Sequence, residues 1–128
     1  VFPALTSLTL QNNRYLEEAN LGDRPITTLS CRSIGYGYCA ASEVVFKGSK
    51  VETIDFSGAS SYIGYGYETS LESVDVTGCP ALNTINTRRV SNSSWYRNET
   101  SLSKIYVTAA QKDILTVTKN DHTEIVVK

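Results

Sequence analysis

Apolar residues recur along this chain at one spacing, apolar-x-x-apolar-x-apolar. It fits Leu5-Leu8-Leu10, Ile26-Leu29-Cys31, Ala41-Val44-Phe46 and Val51-Ile54-Phe56, and returns at Leu71-Val74-Val76 and Leu102-Ile105-Val107. Leu82-Ile85 fills the first two places, and Thr87 breaks the third. Inside these stretches apolar and polar residues alternate, as in Val-Asp-Val and Ile-Asp-Phe, which is the two-residue period of a half-buried strand. Val, Ile and Thr dominate them, as strands favour. The spacing alone proves little, because a chain that is 41% hydrophobic produces it repeatedly by chance. Residue identities carry more weight. ETSLESVDVTG begins at Glu68 and ETSLSKIYVTA at Glu99, a shift of 31. VETIDFSG from Val51 and LNTINTRR from Leu82 are offset by the same amount, and the pentamer IGYGY occurs at 34–38 and again at 63–67.

These registers predict a repeating unit. It has one strand-like segment at 42–47, 71–76 and 102–107, a short turn, a second strand-like segment at 26–31, 51–56 and 82–87, and an aromatic loop at 32–41, 57–70 and 88–101. Gly48-Ser49, Gly58 and Gly78-Cys79-Pro80 supply the turn residues. Helical signal is sparse: RYLEEANL at 14–21 is long enough for two turns, and VTAAQKDIL at 107–115 for one short helix. The final stretch, DILTVTKNDHTEIVVK, leaves the pattern and predicts two strands folded back around Lys119-Asn120-Asp121. A unit of about 30 residues has too little apolar surface to fold alone and buries its face against its neighbours. The expectation is a β-rich solenoid: a single domain over 1–128, with repeats to about 110 and a C-terminal capping hairpin over 111–128.

Composition narrows the function classes. A length of 128 residues with 20% charged residues suits one folded domain rather than a disordered chain. The net charge of −1 offers no electrostatic attraction for nucleic acid. No apolar run reaches the roughly 20 residues of a membrane helix. The chain contains no Met and starts at Val1, so it is expected to be a processed or excised piece, with any signal peptide removed upstream. The cysteines Cys31, Cys39 and Cys79 are odd in number and cannot all pair within the chain, although a loop disulfide between Cys31 and Cys39 stays open.

Candidate chemistry is thin. His122, the only histidine, sits in the polar turn KNDHTE, and no G-x-S-x-G elbow accompanies it. Neither the histidine nor the cysteines have zinc-ligand spacing. Asp55 and Asp75 share one position in TIDFSG and SVDVTG, an arrangement compatible with acid–base work or calcium, or simply with the outward positions of strands. Asn92-Ser93-Ser94 and Asn98-Glu99-Thr100 are sequons, consistent with a surface loop. No catalytic residue, cofactor site or metal site is therefore assigned.

Periodicity nominates binding positions instead. Outward side chains stack across repeats: Glu43, Val45, Ser73, Asp75, Lys104 and Tyr106 on one strand set, and Thr28, Ser30, Thr53, Asp55, Thr84 and Asn86 on the other. The loops add Tyr36, Tyr38, Tyr62, Tyr65, Tyr67, Trp95 and Tyr96, whose amphipathic rings suit sugar stacking, a protein interface, or packing against the neighbouring repeat.

LTSLTLQN, LESVDVTGCPALNTI and SLSKIYVTAAQ resemble leucine-rich repeats of the irregular bacterial kind, found in secreted and surface proteins of gut Bacteroidetes and related to the BspA-like class. The ending LSKIYVTAAQKDILTVTKNDHTEIVVK is similar to their closing repeat and hairpin. The unit here is longer than the family's usual repeat, Val and Ile partly replace Leu, and Tyr and Gly fill the loops. The resemblance implies a right-handed leucine-rich-repeat array on an extracellular, cell-surface or periplasmic protein, often lipid-anchored. It implies adhesion or protein–protein interaction, with no enzyme activity and no cofactor. The alternative is a carbohydrate-binding module working through the aromatic loops, and a hydrolase ranks behind both.

Overall fold

A computed structural model of the chain describes residues 5–11, 16–32, 42–56, 71–87, 102–119, 121 and 123–128. In order, its elements are β1 (Ser7–Gln11), β2 (Glu18–Asn20), β3 (Thr28–Arg32), β4 (Glu43–Lys47), β5 (Thr53–Asp55), β6 (Ser73–Gly78), β7 (Thr84–Asn86), β8 (Lys104–Val107), α1 (Ala109–Ile114), β9 (Thr116–Thr118) and β10 (Glu124–Val127). The chain alternates between two sheets as it advances. One has the order β1-β3-β5-β7-β9 and the other β10-β8-β6-β4-β2, and every pairing in both is parallel. Neither sheet closes into a barrel. The two strand types read from the sequence are the two sheets.

The apolar sides of both sheets share one core. Val44 and Phe46 of β4, Val74 and Val76 of β6, and Ile105 and Val107 of β8 meet Leu29, Cys31, Ile54, Phe56 and Ile85 from the other sheet. Phe46 and Phe56 pack edge to face with centroids 6.1 Å apart, and burying each ring contributes about 1.5–3 kcal/mol. The first apolar residue of the sequence pattern lies before its strand, yet Val51, Leu71, Leu82 and Leu102 are buried there. This is why the strands begin about two residues later than the pattern predicts. Leu5 departs from that rule and stays exposed.

The same hydrogen bonds recur from unit to unit. The carbonyl of Thr6 accepts from the amides of Thr27 and Thr28, that of Thr27 from Glu52 and Thr53, and that of Glu52 from Asn83 and Thr84. Across the other sheet the Ser42 carbonyl accepts from Glu72 and Ser73, and the Glu72 carbonyl from Ser103 and Lys104. Backbone groups at the strand entrances are thus satisfied by the preceding unit.

Two expectations are overturned. The stretch at 14–21 supplies a strand rather than a helix: β2 pairs with β4, Ala19 points into the core between exposed Glu18 and Asn20, and the Leu21 amide donates to the Lys47 carbonyl. Two isolated helical turns are not stable by themselves, whereas a strand here covers the edge of β4. The closing hairpin is also absent. The strands β9 and β10 do not pair with each other: β9 extends one sheet beside β7 and β10 extends the other beside β8. The alternation between sheets runs to the last strand, because each terminal strand satisfies an edge that a hairpin would leave open.

The short helix expected near 107–115 is present as α1. Thr108 caps it, its hydroxyl accepting from the Gln111 amide while the Gln111 side chain accepts from the Thr108 amide. Gln111 is buried, and its Nε2 donates to the carbonyls of Val76 and Cys79, both at 2.8 Å. The helix is thereby pinned to the turn after β6.

Candidate functional site

The two outward sheet faces differ in chemistry because different residues fall between the core positions. On the β2-containing sheet, register aligns Val45, Asp75, Tyr106 and Val126 in one row and Glu43, Ser73, Lys104 and Glu124 in the next. This face is charged and internally paired. Lys47 meets Glu18 at 3.4 Å, and the Ser73 hydroxyl donates to Glu43 at 2.7 Å.

Asp75 stands at its centre. Opposite Phe46, β6 carries the extra residue of a bulge, since Val45 aligns with Asp75 but Lys47 aligns with Gly78. The Asp75 side chain folds onto that irregularity: Oδ1 accepts from the Thr77 amide at 2.9 Å and from the Thr77 hydroxyl at 2.7 Å. Oδ2 accepts from Lys128 Nζ at 2.9 Å, and the same ammonium lies 4.7 Å from the centre of the Tyr106 ring. Burial pushes the Asp75 carboxyl up, but the bonds from Thr77 and Lys128 outweigh it and hold the group below its ordinary value. Asp75 in turn holds Lys128 above the usual lysine value, first through the hydrogen bond and then through charge.

The structure therefore brings Asp75 and Tyr106 together and adds Lys128 and Thr77, which the sequence pattern did not single out. Lys128 lies 53 residues from Asp75 along the chain, too far for local spacing to pair them. Asp55 is elsewhere. It lies on β5 in the other sheet, so the matching positions of Asp55 and Asp75 do not make a carboxylate pair. Tyr36, Tyr38, Tyr62, Tyr65, Tyr67, Trp95, Tyr96, Cys39 and His122 lie outside the described residues.

On the sheet that holds Asp55, the outward rows are Ser7, Thr28, Thr53, Thr84, Thr116 and, beside them, Thr9, Ser30, Asp55, Asn86, Thr118. The sequence pattern had the central three strands of this ladder. Misreading β9 as half of a hairpin hid Thr116 and Thr118 from it.

Two cysteines lie among the described residues. Cys31 and Cys79 are fully buried free thiols. Burial, with a smaller contribution from Asp55, pushes Cys31 up to about 12. Burial likewise pushes Cys79 up to about 11, so neither forms thiolate near neutral pH. No group of three or more His, Cys, Asp or Glu among the described residues is arranged to hold a metal ion. No described helix is long and apolar enough to cross a membrane. The chain has no match among protein-family models, curated proteins or solved structures.

Proposed function

We propose that this chain is a leucine-rich-repeat-like, right-handed solenoid that serves as a non-enzymatic protein-interaction or adhesion module of a secreted or cell-surface protein. In this reading the segment belongs to an extracellular or periplasmic protein that carries its signal or lipid anchor upstream. The observation that carries the proposal is the strict alternation of strands between two parallel sheets. That alternation displays wide, regular faces and buries Cys31 and Cys79, the thiols among the described residues. The face around Tyr106 suits a protein partner. It offers a half-buried aromatic beside charges of both signs, Lys104, Glu43 and Glu124, and such faces favour orientation and specificity of docking.

The test is a protein array and a glycan array probed in parallel with the intact chain and two variants. Protein binding that falls at least tenfold in Tyr106→Ala/Lys104→Glu, and survives Tyr65→Ala/Trp95→Ala, is the expected result. Sugar binding lost only in Tyr65→Ala/Trp95→Ala assigns the chain instead to carbohydrate-binding modules using aromatic loops. Hydrolytic activity abolished by His122→Ala overturns both readings.

A further inference from the structure

The face opposite the charged one has a different composition, and its regularity points to a second ligand. In the row Ser7, Thr28, Thr53, Thr84, Thr116, every side chain is a hydroxyl, and each residue is the direct register partner of the next. In the parallel row beside it only Asp55 is charged. Strand spacing sets the hydroxyls about 4.8 Å apart, so five strands give a file about 19 Å long. The positions are stiff as well as regular. Threonine is restricted at χ1 by its branched β-carbon, and the backbone beneath is tied by the repeated carbonyl bonds of Thr6, Thr27 and Glu52. Ser7 and Thr116 are exposed, and Thr28, Thr53 and Thr84 are half-buried, as the middle of an open sheet face should be. The Thr84 hydroxyl donates to Asn83 at 2.9 Å and keeps its lone pairs for a ligand proton.

Charge and chemistry choose among occupants. A nucleic acid needs cations, which neither row supplies. A protein interface is built on aromatic and apolar anchors, and neither row contains one. A neutral polyhydroxylated ligand matches a nearly uncharged file of groups that both donate and accept. Single exposed hydroxyls gain little over water, so the ligand must itself be stiff and repetitive, with little entropy to lose. An extended β-linked sugar chain fulfils this, one sugar unit being about as long as one strand step.

We infer that the Ser7–Thr28–Thr53–Thr84–Thr116 file is a binding surface for an insoluble β-1,4-linked polysaccharide laid across the strands. This file lies on the sheet that does not carry Tyr106. The test is co-sedimentation of the whole chain with microcrystalline cellulose and with chitin, at low and at molar salt. Retention on at least one polymer, unchanged by salt, is expected, as is a loss of about tenfold or more in Thr28→Val/Thr53→Val/Thr84→Val. Valine keeps the shape and strand preference while removing the hydroxyls, and an unchanged circular dichroism spectrum verifies the fold. The single variant Thr53→Arg, which sets a bulky charge in the file, should lose retention as well. Failure of the chain to be retained, on cellulose and on chitin alike, overturns the inference. So does retention that survives both variants, or that disappears only in Tyr65→Ala/Trp95→Ala.

Discussion

Replacing Gln111 by Leu should unfold the protein more easily, and the size of the effect follows from three hydrogen bonds. The Gln111 side chain is buried, donates to the Val76 and Cys79 carbonyls, and accepts from the Thr108 amide. Leucine fills nearly the same volume, so little is lost in packing and the change isolates polarity. The two carbonyls are not stranded, since each still accepts from a backbone amide, that of Cys79 and that of Leu82 respectively. The Thr108 amide loses the bond that closes the capping box. At about 0.5–1.5 kcal/mol per bond, with the carbonyls near the lower end, the net cost is about 2–3 kcal/mol. With a urea dependence of about 2 kcal/mol/M, the unfolding midpoint should fall by about 1–1.5 M. Exchange of the Cys79 and Leu82 amides should accelerate in parallel. The exposed Lys112→Ala on the same helix serves as the control and should stay within about 0.5 kcal/mol of wild type. A midpoint shift below about 0.3 M for Gln111→Leu would refute the view that this side chain ties α1 to the β6 turn.

Thr87→Val should stabilise the protein. Its hydroxyl is buried at the place where neighbouring units carry Phe56 and Cys31, and it finds no hydrogen-bond partner among the described residues. Removing it is expected to add about 1 kcal/mol and raise Tm by a few degrees in calorimetry, whereas a lowered Tm would contradict the account. Asp75 makes stability depend on acid. Its folded carboxyl titrates below the unfolded value near 3.8, so its contribution is complete above that value and fades as pH falls through the folded one. Between pH 5 and pH 2, Asp75→Asn should therefore show a shallower loss of unfolding free energy than wild type, and equal slopes would remove Asp75 as a cause. Cys31 and Cys79 should resist a disulfide reagent at pH 8 in the native protein and react once urea unfolds it, as followed by peptide mass mapping. Native-state modification of either at the unfolded rate would place that thiol outside the core.

The sequence by itself determined the strands. Alternation in TIDF and SVDV, and the recurring offset of 31 residues, placed β3 to β8 within about two residues of where they lie, because local side-chain period and repetition are written in residue order. It also determined the chemistry of each outward row, since the residues between core positions can face only away from the core. Tertiary structure decided what depended on partners far along the chain. β2 is a strand only because the edge of β4 receives it, against the helical preference of LEEA. β9 and β10 separate rather than fold together, because β7 and β8 each present an unpaired edge. Asp55 and Asp75, alike in sequence, sit on different sheets, and Asp75 acquires Lys128 from the far end of the chain. A bulge that inserts one residue beside Asp75 leaves its amide for that carboxylate to bind, and no sequence period announces a bulge, since it arises where two strands of unequal residue count must share one edge.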